Sequence, residues 1–458
     1  MTVCAPMEWD TLLRLDRLNN PDHKQQKHRP TYVQDMDRIL FSQPFRRLAN
    51  KTQVHPLYDN DHIHHRLIHS LEVAGVGRSL GTEVGAWLAD ERGEIPAEQV
   101  EVVAGLVQTA CMAHDIGNPP FGHSGEEAIS SWFHEKFSRP QGIFEDIPEA
   151  LRHEFMSFEG NAQGFRILTR TEMHKDKGGF QLALGSLGAF AKYPVSAFAK
   201  AHVGDEGTIK GTRYIGLKKY GFFDNDVVTF QHVAAQLGLP QTEVTGPDGT
   251  VLGHWWRRHP LAFLMEAADD ICYTIMDLED AHLAGDITLD QVRDLLGSLF
   301  APTTSVGDSD NISLFRALAF RDVIPVCVDA FKDNYEAIMQ GSFAISLVDA
   351  SRKAAAFAKI KEVMQNRIFT ASRKTELEVY GRNVVFRALD GLLPLLEGLF
   401  AISRGSEKLS PYHVQVARAV RFPLAPLSSP YDALHTLADF VSGMTDRYAV
   451  KVADMLGR

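Results

Sequence analysis

A histidine and an aspartate stand side by side at His114-Asp115, and an imidazole beside a carboxylate makes a good ligand pair for a borderline or hard divalent cation. The residues before them, Val102, Val103, Leu106, Val107 and Ala110, recur at helical spacing and read as buried, so the pair ends an apolar helix. A buried carboxylate must be paired or metal-bound. One such dipeptide also arises by chance, as a helix end with a histidine near its dipole, so a metal reading needs further ligands. Two stretches offer them. RLIHSLEVAGVGRSL, at 66 to 80, carries His69 on an amphipathic helix. MEAADDICYTIMDLEDA, at 265 to 281, carries Glu266, Asp269 or Asp270, Tyr273, Asp277 and Asp280 at steps of three or four. Such a stripe is either a solvated acidic face or the wall of a polar site, and the tyrosine in its middle suits a pocket better than open water. His55, His62, His64, His65 and His69 crowd one short segment, and most of them read as surface groups.

The elements that must position these groups are helices. Ser124 followed by Glu127 makes an S-x-x-E capping box, which predicts a helix from about residue 125. The preceding IGNPPFGH is a stiff connection with two prolines and two glycines. It leaves His114 and Asp115 at the end of one helix and His123 at the mouth of the next. Residues 97 to 117, 261 to 285 and about 312 to 403 also run at helical period. EVTGPDGTVLG, at 243 to 253, reads as a hairpin around Pro247, Asp248 and Gly249, and the glycine-rich stretch from about 201 to 225 as an irregular excursion. The expected fold class is therefore mainly all-α, with one or two short β-hairpins.

Composition narrows the function. The chain has 458 residues, 45% hydrophobic and 23% charged, enough apolar material for a sizeable core. Its 47 basic and 58 acidic residues leave a formal charge of −11, which disfavours a globally basic nucleic-acid binder but not a phosphorylated ligand held by a local cation cluster. Cys4, Cys111, Cys272 and Cys327 lie far apart without a C-x-x-C pair, so neither a disulfide framework nor a zinc ribbon is indicated and a reducing cytoplasm fits. No signal peptide or membrane span is visible, because acidic residues interrupt the N-terminus and Pro394 and Glu397 break the longest apolar run.

The order of the motifs is more specific than any one of them. H-S-L-E-V at 69 to 73, A-H-D-I-G-N-P-P-F-G-H-S-G-E at 113 to 126 and E-A-A-D-D-I-C-Y at 266 to 273 resemble the HD superfamily of metal-dependent phosphohydrolases, specifically the bacterial deoxyguanosine triphosphate triphosphohydrolase family. F-R-R-L-A-N-K-T-Q-V at 45 to 54, F-E-G-N-A-Q-G-F-R at 158 to 166, A-K-Y-P at 191 to 194 and G-M-T-D-R-Y-A at 443 to 449 agree with it, so the resemblance covers nearly the whole chain. It implies a single catalytic unit with an HD-domain helical core over about 60 to 285 and a helical C-terminal region over about 286 to 458. It also makes His69, His114, Asp115 and Asp269 the ligands of one divalent ion, Mn²⁺ or Mg²⁺. Asp269 is chosen over Asp270 because the family's ligand stands four residues before the tyrosine. Relatives commonly have R-L-T-H-S where this chain has Ile68 before the ligand, which removes a hydroxyl beside His69.

The same resemblance implies hydrolysis of a deoxynucleoside triphosphate to the deoxynucleoside and tripolyphosphate. His123 matches the catalytic histidine, with Glu126 to orient or charge it, and both also read as ordinary decoration of a helix start. Arg66, Asn161, Lys192 and Tyr193 match phosphate-binding positions. Lys192 is a lone cation in an apolar setting, whereas Lys218 and Lys219 read as surface charges. Tyr273 would pack on the sugar and exclude a 2′-hydroxyl, with Asp277 and Gln53 on the 3′-hydroxyl. The implied partners are deoxynucleoside triphosphates and further copies of the chain, as a dimer or hexamer, with single-stranded DNA in some relatives and no membrane. Other HD phosphohydrolases, such as a 5′-nucleotidase or a (p)ppGpp hydrolase, share the four ligands but lack the G-H-S-G-E, A-K-Y-P and Q-V blocks. A nucleotide-responsive regulatory or DNA-binding protein is the alternative from another class.

Overall fold

A computed structural model describes residues 5–53, 64–301, 311–368, 372–405, 408–424 and 427–457. The chain is mainly α, as expected. The helices that matter for the site are α1 (Arg66–Trp87), α2 (Val100–Ala113), α3 (His123–Ser138), α4 (Gly160–Arg166), α5 (Leu184–Phe190), α6 (Ala197–His202), α7 (Pro260–Leu283), α8 (Ile312–Asp333), α9 (Ser372–Ser403), α10 (Pro430–Ser442) and α11 (Asp446–Leu456). Two antiparallel hairpins are inserted, β1 (Thr208–Ile209) with β2 (Thr212–Arg213), and β3 (Gln241–Thr245) with β4 (Val251–Trp256). The second is the hairpin read around Pro247 to Gly249, and the first lies within the irregular excursion.

The half that carries His69 and His114 rests on a close pair, α1 against α2. Glycines in a helix interior cost roughly 1 kcal/mol each relative to alanine, yet α1 carries several. Packing explains two of them: a Cβ at Gly81 would lie 2.8 Å from the Ala104 Cα, and one at Gly77 would lie 2.4 Å from the Cys111 sulfur. The backbones can therefore approach closely enough to bring His69 of one helix beside His114 at the end of the other.

Apolar side chains gather into two clusters. The first joins α1, α2, α5, α7 and α8, with Val73, Leu106, Leu187, Ile271 and Val323 at its centre. The second joins α3, α6, both hairpins, α9, α10 and α11, around Trp132, Phe133, Trp255, Leu389 and Leu437. The loop after His114 crosses from one to the other, since Ile116 belongs to the first cluster and Phe121 to the second.

That loop ends differently from the expectation. Helix α3 begins at His123, two residues early, and no side chain caps it. Gly122 is the cap residue, with φ of 58°, a conformation open to glycine at little cost. The turn is made by Gly122, so Ser124 already lies inside the helix and the S-x-x-E box does not form.

Candidate active site

Three helices bring four residues to one wall of a cavity of about 540 Å³ lined by residues from both clusters. His69 comes from α1, His114 and Asp115 from the end of α2, and Asp269 from the middle of α7. One ligand atom each from His69, His114 and Asp115 lies within 4.8 Å of the others. His69 Nε2 is 3.3 Å from Asp269 Oδ1, and His114 Nε2 is 3.6 Å both from that oxygen and from Asp115 Oδ1. The two rings meet edge to face with centroids 5.2 Å apart.

This donor set fits a divalent metal ion. The His114 ring donates from Nδ1 to the Cys111 carbonyl at 2.6 Å, which leaves Nε2 as the lone-pair nitrogen aimed at the cluster. That Nε2 is buried and without a hydrogen-bond partner. Burial opposes ionisation of Asp115, but Arg66, His114 and His69 outweigh it and hold the carboxyl at about 2. Burial is likewise overcome at Asp269, where Lys192, His114 and His69 keep the carboxyl well below the usual range. Two imidazoles and two ionised carboxylates at these distances form a cation cradle.

The acidic stripe of α7 faces inward rather than into solvent. Glu266 is buried and paired with Arg258 at 2.6 Å, and Asp280 is fully buried and accepts from His64 at 2.6 Å. His64 is therefore not a surface histidine: Asp280 and then Glu72 raise its pKa to about 10. His65 caps α1 by accepting from the Ile68 amide, Ile68 itself is turned outward, and His55 and His62 lie outside the described residues. Asp269 and Asp270 separate clearly, Asp270 pointing to Lys361 at 3.5 Å.

Gln53, Arg66, His123, Glu126, Asn161, Lys192, Tyr193 and Tyr273 all line the cavity. Arg66 binds Asp115 at 2.7 Å, and Lys192 binds Asp269 at 3.3 Å with Glu266 at 3.8 Å. Lys192 thus has the anions that its apolar setting demands, and burial notwithstanding, Tyr193, Asp269 and Glu266 hold it charged. Asp277 is the exception among the expected residues. It lies one turn beyond Tyr273, is buried, leaves Oδ2 without a partner and is not among the residues lining the cavity. Burial pushes its pKa up to about 8, so its carboxyl is protonated at neutral pH.

On the opposite wall Glu126 accepts from the Gly160 amide at 2.8 Å. Lys219, read from sequence as a surface charge, turns inward instead. Its ammonium lies 2.9 Å from Glu159 and 3.8 Å from Glu126. Burial, then Lys219 and Arg66, lower the His123 pKa to about 4. Two more residues escaped the sequence reading. Asp446, at the start of α11, accepts from the Thr52 amide and hydroxyl and from the Phe121 amide at 2.7 to 3.1 Å. Buried Lys51 donates to the Asn118 and Ser442 carbonyls at 2.5 and 2.8 Å. The C-terminal region therefore holds the loop that joins His114 to His123. Both stand in blocks that carry the family resemblance, but no local signal gives either a role, since Lys51 reaches Ser442 and Asp446 reaches Phe121 across more than 300 positions.

The HD domain family matches residues 66–163, the stretch from Arg66 into α4. A deoxyguanosinetriphosphate triphosphohydrolase-like protein of Pseudomonas aeruginosa is 38% identical over 99% of both chains. One of the same description from Synechocystis is 36% identical over 98% of this chain and 99% of its own. A deoxyguanosinetriphosphate triphosphohydrolase of Salmonella enteritidis is 29% identical over 91% and 92%. No described helix is long and apolar enough to cross a membrane. With His69, His114 and Asp115 clustered in the matched domain and likeness along the full length, the chain belongs to the HD-superfamily deoxyguanosinetriphosphate triphosphohydrolase family, as a metal-dependent nucleotide phosphohydrolase.

Proposed function

We propose that the protein hydrolyses deoxynucleoside triphosphates, dGTP among them, to the deoxynucleoside and tripolyphosphate, using one Mn²⁺ or Mg²⁺ ion held by His69, His114, Asp115 and Asp269. The observation that carries this reading is the cavity itself. One space of about 540 Å³, in the range of nucleotide-sized pockets, has the cation cradle on one wall, Arg66, Lys192 and Lys219 around it, and His123 with Glu126 opposite.

When bound, the ion supplies a Lewis acid for a phosphoryl oxygen. The protein's own groups do the rest. Arg66, Lys192, Lys219, Asn161 and Tyr193 take the phosphates. Their present partners are carboxylates and each other, which an incoming polyanion replaces. His123 is neutral in the free protein because of burial and the two cations beside it. A triphosphate that screens Lys219 and Arg66 raises the proton affinity of the ring, so the substrate itself loads His123 with the proton that passes to the departing 5′ oxygen. Glu126, fixed by the Gly160 amide, orients the ring. Tyr273 packs against the sugar, with Gln53 toward the 3′-hydroxyl. We infer further that the chain works as a single unit in the cytoplasm and assembles as a homo-oligomer, a dimer or hexamer. The Asp446 and Lys51 links support the single unit.

The test is a panel of all dNTPs and NTPs with Mn²⁺ and with Mg²⁺, with the phosphate products resolved. Tripolyphosphate as first product is expected, and pyrophosphate as first product would sink the reading.

A further inference from the structure

Behind the Lys219 wall lies a second, smaller cavity of about 180 Å³, lined by His153, Lys200, Lys218, Lys219 and the acid Glu159 among others. Lys218 and Lys219 line both cavities, while Lys200 and His153 line only the outer one. The partition between them is the Lys219–Glu159 pair at 2.9 Å, with Glu159 also accepting from Asn161 at 2.7 Å. The outer cavity therefore holds three lysines against one carboxylate, in a chain whose overall charge is −11. Among the described residues the Lys200 and Lys218 ammonium groups make no ion pair or hydrogen bond. Cations gathered around a concave space without matching acids attract an anion and raise its local concentration. The volume excludes a nucleotide but holds about six waters at roughly 30 Å³ each, enough for a short chain of phosphoryl groups.

We propose that this outer pocket is a binding site for condensed inorganic phosphate, through which the tripolyphosphate product leaves the catalytic cavity. The proposal rests on the reading of the reaction given above. The cations form a series from the inner cavity to the outer one: Lys192, then Lys219 and Lys218 shared by both, then Lys200. A leaving polyphosphate displaces Glu159 from Lys219 and is handed along the series, so it need not retreat past the nucleoside. Because the pocket is separate from the reacting centre, it can hold tripolyphosphate while substrate occupies the inner cavity.

The test uses Lys200→Glu, with Lys200→Arg as the charge-preserving control, on the full chain with its metal. Added inorganic tripolyphosphate is expected to inhibit the wild type with a component that excess dNTP does not relieve. In Lys200→Glu that component should weaken at least tenfold, with kcat/KM for dNTP within twofold of wild type, and Lys200→Arg should restore it. The variant's kcat should fall severalfold where release limits turnover. Purely competitive inhibition of equal strength in all three proteins would overturn the proposal. Loss of the inhibition with no change in kcat, where rapid-quench experiments show release to be limiting, would assign the pocket to polyphosphate from solution and overturn the outlet role. If no dNTP is hydrolysed, direct calorimetric titration with tripolyphosphate still decides the site. Binding to wild type that drops tenfold in Lys200→Glu supports it, and equal binding or none removes it.

Discussion

The two walls of the cavity are built by different means. The wall with the proposed metal ligands draws His69, His114, Asp115 and Asp269 from three helices of one apolar cluster, two of them packed so closely that glycines are needed between them. The opposite wall draws His123 and Glu126 from the start of α3 and Lys219 from a loop, with Glu159 behind Lys219, and the C-terminal region holds it in place through Asp446 and Lys51. The first wall is set by helix packing and the second by hydrogen bonds between distant segments. Damage to the first should cost the cation, whereas damage to the second should spare it and cost turnover.

The sharpest test of that division is Asp115→Ala, which should abolish metal occupancy read by elemental analysis, together with all activity. Asp270→Ala, one residue from a proposed ligand but paired with Lys361, should keep the metal; equal loss in both variants would erase the distinction between them. On the other wall His123→Ala should keep the metal and lower kcat by about 10²- to 10⁴-fold, the usual worth of a placed acid or base, and Glu126→Ala should lose less. A His123 variant with normal turnover would pass the proton to another group.

The same division decided what the sequence disclosed. Helical spacing put His69, His114, Asp115 and the α7 stripe on elements that could share a site, but it left Asp269 and Asp270 open and the stripe either solvated or inward. The four-ligand set came from the resemblance carried by the ordered motifs. The mainly helical class and the hairpin around Pro247 to Gly249 were legible because period and turn chemistry are local signals. Lys219 was not, because its direction depends on Glu126 and Glu159, which lie sixty or more positions away. His64 was misread likewise, its partner Asp280 being on another helix. The helix start at His123 was missed because Gly122 made the turn that the capping box was expected to make.

Asp446→Ala probes the brace itself. It strands the Thr52 and Phe121 amides, and breaking a buried charged hydrogen-bond set costs about 3 kcal/mol. Urea unfolding should report that loss. kcat/KM should fall with metal still bound, and a variant that loses its metal first would show that the brace serves both walls.

Glu154 offers a pH test on the second cluster. Its carboxyl is fully buried, is held by Tyr431 and His435, and burial raises its pKa from 4.5 to about 7. Between those values the folded protein binds the proton and the unfolded chain does not, so this group's contribution is complete at low pH and is lost as pH rises toward 7. Stability should therefore decline over that interval by up to a few kcal/mol, as read by unfolding at several pH values. In Glu154→Gln the decline should flatten, and an unchanged slope would assign it to Asp224, whose carboxyl burial and Glu154 also raise to about 7.

The smallest effect expected concerns the proposed contact with the sugar. Tyr273 stands four residues after Asp269 on α7 and lines the cavity, so one helix carries both a proposed metal ligand and the ring proposed to meet the deoxyribose. If that ring occupies the space of a 2′-hydroxyl, Tyr273→Ala should raise ribonucleotide turnover relative to deoxyribonucleotide turnover. The ratio of kcat/KM values is the measure, because losing the ring also weakens sugar packing for both substrates. A pocket that excludes one added group is worth about 1.4 kcal/mol or more, so the ratio should narrow at least about tenfold. An unchanged ratio would move the discrimination to Gln53, whose Oε1 is buried in the same cavity without a partner and belongs to the segment that Asp446 holds. In that event Asp446→Ala should change the ratio where Tyr273→Ala did not, and sugar selection would belong to the braced wall rather than to the helix that carries the metal ligand.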